Sequence, residues 1–151
     1  MECPYCHKPL TEVTNSRPTY HNSQIWRRRK CLNCKEEFTT HEIINLSHLI
    51  VVKKSGKTER FSRMKLYSGI FYAANASKIP QRELFVDKIT REIERDILDL
   101  KKKRVSSEII TDLVLKKLRI KSIATFSRFL TYCKNITTEA QMKKEMAKYL
   151  S

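Results

Sequence analysis

Two short cysteine motifs decide the fold of the N-terminal part of this chain: Cys3-Pro4-Tyr5-Cys6 and Cys31-Leu32-Asn33-Cys34. Each C-x-x-C motif can form a tight turn that points both thiolates at one ion. Two such turns facing each other provide the tetrahedral four-sulfur coordination that suits Zn²⁺. One motif alone could be a redox pair, but two in a chain of 151 residues predict a zinc ribbon. Paired redox motifs or an iron site are the alternatives.

We therefore expect Cys3, Cys6, Cys31 and Cys34 to bind one Zn²⁺ per chain. The fifth cysteine, Cys133, lies far along the sequence in a helical pattern. It is predicted to be a small core residue and not a ligand.

The composition indicates a polyanionic partner. The chain carries 31 Lys and Arg against 16 Asp and Glu, a net charge of +15. Proteins this basic usually bind nucleic acid, nucleotides or an acidic membrane surface. No stretch approaches the roughly 18 apolar residues of a membrane span, and the N-terminus lacks the pattern of a secretion signal. We therefore expect a cytoplasmic protein with no membrane partner.

The positive charge of the ribbon is concentrated in one predicted strand. Residues 1–46 carry seven Lys and Arg and five Asp and Glu, and four thiolates with Zn²⁺ bring the ribbon close to neutrality. The run just before the second cysteine pair nevertheless contains four adjacent cations. Guanidinium groups can contact phosphates or guanine edges, so this run predicts a DNA-binding surface. A solvated strand edge is the alternative. The candidate residues are Arg17, Trp26, Arg27, Arg28, Arg29 and Lys30.

The remainder of the chain predicts a small hairpin followed by helices. Residues 48–54 form a β-branched run, Ser55-Gly56 predicts a turn, and residues 57–61 can return as the second strand. Helical spacing and capping residues then predict five helices. The first, second and fourth helices are predicted at about 62–75, 82–101 and 122–134. The third is predicted to begin at 106 or 107 and the fifth at 138. Lys101–Arg104 are predicted to close the second helix. The predicted fold class is α+β.

No catalytic constellation is evident, so we expect a protein that is not an enzyme. Gly56-Lys57-Thr58 resembles the end of a P-loop, but position 51 is Val51 and not the required glycine, and residues 58–61 read as strand. Any nucleotide must therefore be held by side chains and strand backbone. Lys53, Lys54 and Lys65 can supply the cations for its phosphates.

These motifs together resemble the bacterial NrdR family, zinc-ribbon repressors of ribonucleotide reductase genes. In the first 46 residues the matching positions are Cys3-Pro4-x-Cys6, Ser16-Arg17, Arg27-Arg28-Arg29, Cys31-Leu32-x-Cys34 and Phe38-Thr39-Thr40-x-Glu42. The second part resembles an ATP-cone, a nucleotide-sensing module. Its matching stretch runs from Val51 to Leu66.

The resemblance implies a zinc-ribbon DNA-binding domain at 1–46, an ATP-cone at 47–139 and a C-terminal helical tail at 140–151. In the cone, a small hairpin or sheet would cap a helical bundle. The resemblance also implies that the cone binds ATP and dATP as effectors and forms homo-oligomers, while the ribbon binds paired promoter boxes in double-stranded DNA upstream of reductase genes. Localisation would be cytoplasmic and nucleoid-associated. The implied nucleotide-binding residues are Val52, Lys53, Lys54, Glu59, Lys65 and Tyr132.

The sequence departs from the family pattern inside the cone. Ser55 stands where the family usually has Asp, and Ser127 and Cys133 stand where it usually has arginines. Two other classes of function are compatible with the residues. One is an RNA-binding or polymerase-associated zinc-ribbon factor with a degenerate cone, and the other is an adaptor that acts directly on the reductase.

Overall fold

The computed structural model describes residues 1–19, 24–75 and 79–150. For Leu150 it describes the backbone alone. These residues divide into two compact units, Met1–Asn45 and Leu46–Ser151, called here the N-terminal and C-terminal units. Within the described residues, the first contains a three-stranded sheet and the second a three-stranded sheet with five helices. The predicted α+β class is confirmed. None of the described helices is both long and apolar enough to span a bilayer.

The N-terminal unit is an antiparallel sheet with its cysteine turns at one end. Strands β1 (Thr11–Thr19), β2 (Gln24–Cys31) and β3 (Glu37–Ile43) lie in the order β1-β2-β3. The central strand β2 contains the arginine run and ends at the zinc-ligand candidate Cys31. One strand therefore joins the cationic surface directly to the cysteine cluster.

The N-terminal unit lacks an apolar core in its described part. Among residues 1–19 and 24–45, Cys3 and Cys31 alone are buried, and both are fully inaccessible to solvent. A sheet this small cannot obtain much stability from hydrophobic burial. Its stability must depend on what the cysteines bind.

The C-terminal unit opens with the predicted hairpin. Strands β4 (Ile50–Val52) and β5 (Thr58–Arg60) pair antiparallel, as expected. The turn uses Gly56 at φ +80°, a left-handed conformation that glycine adopts without strain, and the N–H of Gly56 donates to the carbonyl of Lys53 at 2.9 Å.

The expectation for Lys101–Arg104 was wrong in part. The second helix ends at Asp99, and Arg104 begins a further strand, β6 (Arg104–Ser106). This strand pairs parallel to β4 and gives the order β5-β4-β6. A parallel partner arrives through a long crossover, so local sequence patterns do not reveal it.

Five helices lie close to the predicted positions. Two of them come between β5 and β6 in the chain, and three follow β6. Serine side chains cap three of them: Ser62, Ser106 and Ser122 accept hydrogen bonds from the backbone N–H of the third following residue. Their bounds are α1 Arg63–Ala74, α2 Arg82–Asp99, α3 Ser107–Lys121, α4 Ile123–Lys134 and α5 Glu139–Leu150.

The core of the C-terminal unit lies between the sheet and the first four helices. Its fully buried members include Ile70 of α1, Ile89 and Ile93 of α2, Leu115 of α3 and Phe126 of α4. Helix α5 packs against this core through Met142, Met146 and Tyr149. The result is a rigid frame on which β4, β5, α1 and α4 place the candidate nucleotide-binding side chains.

Candidate metal, DNA and nucleotide sites

The four predicted zinc ligands converge. Their Sγ atoms all lie within 4.8 Å of one another, and the pairs Cys3–Cys34 and Cys6–Cys31 are each 3.6 Å apart. A tetrahedral Zn²⁺ with Zn–S bonds of about 2.3 Å requires sulfur separations of about 3.8 Å. The cluster therefore fits a four-sulfur zinc site.

The two cysteine turns are built alike, which explains this convergence. In each turn the residue after the second cysteine, His7 or Lys35, has a left-handed backbone, and its N–H donates to the carbonyl of the first cysteine at 2.9 and 3.0 Å. The N–H of each first cysteine donates to the carbonyl of Lys8 or Glu36. Two copies of one turn thus point four thiols at a common centre.

Backbone hydrogen bonds and neighbouring thiols shift the pKa values of Cys6 and Cys34 in opposite directions. The backbone N–H of Lys8 stabilises the Cys6 thiolate and lowers its pKa to about 6. At Cys34 the backbone N–H of Glu36 acts in the same direction, but burial and the neighbouring cysteines outweigh it and raise the pKa to about 12. Four thiolates in so small a space repel one another, and a divalent cation would remove this repulsion.

The predicted DNA-binding residues lie on both faces of the N-terminal sheet. On one face the guanidinium of Arg17 stacks over the Trp26 ring, 4.6 Å from its centroid, and Arg28 forms a 2.9 Å ion pair with Glu37. Lys30 shares this face, since it stands opposite Glu37 in register.

The other face carries the two remaining arginines. Arg27 pairs with Glu42 at 2.8 Å, and the Nε of Arg29 donates to Thr40 Oγ1 at 3.0 Å. Because both ion pairs on the sheet are partly solvent-exposed, they add little stability. The arginines can therefore exchange these partners for phosphates at low cost.

Four of the six predicted nucleotide-binding residues line one cleft of the C-terminal unit. Lys53, Glu59, Lys65 and Tyr132 meet there around a volume of about 220 Å³, against an apolar wall that includes Phe61 and Phe129. A cleft lined by both ammonium groups and aromatic rings suits a phosphorylated ligand with a planar base.

The structure places the other two predicted residues outside this cleft. Val52 is absent from its lining, and Val51 lines it instead, because strand alternation turns Val51 toward the core side together with Glu59. Lys54 lines a neighbouring groove with Lys53 and Lys134. It also lies 3.6 Å from the carboxylate of Glu108.

Lys65 occupies the position that the capping pattern predicts. It stands in the first turn of α1, where its backbone N–H donates to the Ser62 hydroxyl at 3.4 Å. The positive end of the helix dipole and the ammonium group both favour an anion there.

Two further cations, Arg128 and Lys134, lie beside the cleft but are not among the predicted nucleotide-binding residues. Arg128 lines an adjoining groove with Tyr72 and Tyr132, whose side chains are 75% and 80% exposed. Lys134 lines the groove next to Lys53. Residues four positions apart share one helix face, so the spacing of Arg128 and Tyr132 could have predicted that they lie together. The same spacing relates Ser68 and Tyr72.

Comparison with known proteins identifies both units. Residues 1–42 match the family described as transcriptional repressor NrdR-like, N-terminal domain, and residues 49–149 match the ATP cone domain.

Full-length relatives carry the name transcriptional repressor NrdR. The Geobacillus kaustophilus protein is 37% identical over 98% of this chain and 97% of its own length. The protein from Thermoanaerobacter sp. strain X514 is 31% identical over 97% of this chain and its entire length, and that of Microcystis aeruginosa is 40% identical over 85% and 74%. The predicted resemblance is confirmed, as is the expectation of a regulator and not an enzyme: the chain belongs to the NrdR family of transcriptional repressors.

Proposed function

We propose that this chain is a repressor that binds double-stranded DNA upstream of ribonucleotide reductase genes through its zinc ribbon. In this proposal, residues 1–46 bind promoter boxes and one Zn²⁺ per chain holds them folded. The observation that carries the proposal is the continuity of β2, which runs from the arginine strand directly into the ligand Cys31. The metal thereby fixes the strand that presents the cations. Action on promoters places the protein in the cytoplasm, associated with the nucleoid.

The second half of the proposal assigns nucleotide sensing to the cone, residues 47–139. Lys53 and Lys65 would bind phosphates, and the exposed ring of Tyr132 would stack on an adenine. Helix α5 (Glu139–Leu150) covers the described part of the proposed tail at 140–151. It packs on the same core, so a change in the core can alter its position.

Regulation requires that ATP and dATP favour different states of the protein. A ligand with equal affinity for two states shifts neither, however tightly it binds. We therefore propose that each nucleotide stabilises a different homo-oligomer formed through the cone, and that these oligomers differ in DNA affinity.

The test is to measure oligomer size and operator affinity with ATP, with dATP and with neither. Light scattering and a DNA-binding titration on the organism's own reductase promoters provide the two readouts. We expect at least two distinct oligomers, with operator affinities that differ between the ATP and dATP states. One oligomer and one affinity in all three conditions would contradict the regulatory half of the proposal.

Replacement of Lys65 should weaken ATP and dATP binding together. The nucleotides differ by one sugar hydroxyl, whereas Lys65 is placed for a phosphate, so Lys65→Ala should cost both about five- to thirtyfold in affinity. Calorimetric titration of each nucleotide measures this effect. Lys88→Ala, an exposed lysine on α2, is the matched control and should change neither affinity. A loss confined to one nucleotide would place Lys65 near the sugar instead.

A further inference from the structure

The two cleft lysines share a single carboxylate. Glu59 Oε1 lies 2.9 Å from the Nζ of Lys53, and Glu59 Oε2 lies 2.8 Å from the Nζ of Lys65. Each oxygen of the carboxylate thus binds one ammonium group. All three side chains line the same cleft, so the carboxylate occupies the place between the lysines that a bridging phosphate group would need.

We propose that Glu59 is a built-in competitor of the phosphate group, which a ligand must displace from Lys53 and Lys65 before its own phosphates can bind. This inference rests on the proposed nucleotide-sensing function and adds a basis for selectivity. Because both lysines are already paired, bare polyphosphate gains little by replacing one anion with another.

A nucleoside polyphosphate can recover the cost of this displacement. Once released from the lysines, the Glu59 carboxylate can accept hydrogen bonds from sugar hydroxyls or a base amino group. Bare polyphosphate offers no such donors at neutral pH. The same residue therefore acts against simple phosphates and in favour of nucleotides.

The strength of the two ion pairs suits an exchangeable contact. The side chains of Glu59, Lys53 and Lys65 are 32%, 43% and 66% exposed, so solvent screens their attraction. The hydrogen bond from Lys65, followed by that from Lys53, lowers the pKa of Glu59 and keeps its carboxylate charged at neutral pH. The competitor is thus always present yet can be displaced.

The experiment compares inorganic tripolyphosphate with ATP on full-length wild-type protein and Glu59→Gln by calorimetry. We expect Glu59→Gln to bind tripolyphosphate about three- to tenfold more tightly, because two charge-assisted contacts no longer compete. ATP should gain less or lose affinity, so that the preference for ATP over tripolyphosphate falls. Unchanged or weaker tripolyphosphate binding would overturn the proposal, and an equal gain for both ligands would overturn its selectivity.

Glu92→Gln is the matched control. It removes the same charge from the same unit, and Glu92 pairs at 2.9 Å with Lys121, which lines none of the clefts described above. A gain in tripolyphosphate affinity as large as that of Glu59→Gln would reduce the effect to net charge and refute the competitor role. Glu59→Ala should reproduce the Glu59→Gln pattern, which guards against misfolding of one variant. Failure of wild-type protein to bind ATP would count against the proposed function and against the selectivity for nucleotides. The tripolyphosphate affinities of wild-type protein and Glu59→Gln would still test the competitor role, since that comparison needs only lysine–phosphate contacts.

Discussion

Removal of zinc is expected to unfold the N-terminal unit and abolish DNA binding while leaving the C-terminal unit folded. The physical reason is the absence of any other core: Cys3 and Cys31 are the buried side chains among the described residues of this unit. Structural zinc contributes about 10–16 kcal/mol in small metal-dependent domains, which equals or exceeds the whole stability of a typical fold.

Elemental analysis of purified protein should give about one zinc per chain, and a chelator or Cys34→Ser should eliminate it. The amide chemical shifts of residues 1–45 should then change to values typical of an unfolded chain, while those of the C-terminal unit remain unchanged. Cys133→Ser is the matched control. This thiol lies outside the cluster, and burial raises its pKa to about 11, so the variant should retain its zinc. Protein without zinc that still binds its operator would contradict the metal assignment.

Replacement of Arg27, Arg28 and Arg29 by Ala should reduce operator affinity by about a hundredfold or more, since each bidentate contact to a base that is removed costs about 1–3 kcal/mol. Each phosphate that is no longer neutralised should also lower the slope of log affinity against log salt by about 0.9. Zinc content should remain unchanged, because the hydrogen bonds and ion pairs described for the arginine side chains go to Glu37, Thr40 and Glu42 and not to the cysteines.

A control for net charge is available in the C-terminal unit. Lys88, Lys116 and Arg119 are exposed helical residues, and their joint replacement by Ala removes the same three charges. This variant should lose far less affinity than the arginine variant. Equal losses would mean that DNA senses the overall charge of the protein and not a surface on β2.

The two faces of the sheet can be distinguished within the same experiment. Arg28 shares its face with Trp26 and Arg17, whereas Arg27 and Arg29 lie on the other. If DNA binds the face of Trp26, Arg28→Ala should reduce operator affinity more than the double variant Arg27→Ala/Arg29→Ala. If DNA binds the other face, the double variant should reduce it more. Equal effects would indicate that DNA contacts both faces.

Much of the local structure was predictable because it depends on contacts between residues close in sequence. The cysteine spacing predicted the metal cluster, since each C-x-x-C turn is closed by its own backbone hydrogen bonds. Ser62, Ser106 and Ser122 begin helices because a serine hydroxyl satisfies a free N–H three residues on. The alternation of Arg27, Arg28 and Arg29 between two faces follows from strand geometry alone.

The tertiary structure decided which distant groups share a surface. Strand β6 joins β4 across about fifty residues of intervening chain, and no local pattern encodes a parallel partner that far away. The sequence predicts Val52 as a nucleotide-binding residue, and this stays a prediction. The register of β4 against β5 decides that Val51, and not Val52, lies on the cleft side with Glu59.

The sequence by itself also determined that Lys53, Glu59 and Lys65 are charged residues near a hairpin and a helix start. Only the folded chain sets both ammonium groups within hydrogen-bond distance of one carboxylate. The hairpin carries Lys53 and Glu59, the Ser62 cap sets the first turn of α1 that carries Lys65, and packing of both elements on the common core fixes the remaining distance. Such a distance depends on the packing of elements against one another, and one-dimensional patterns do not contain it.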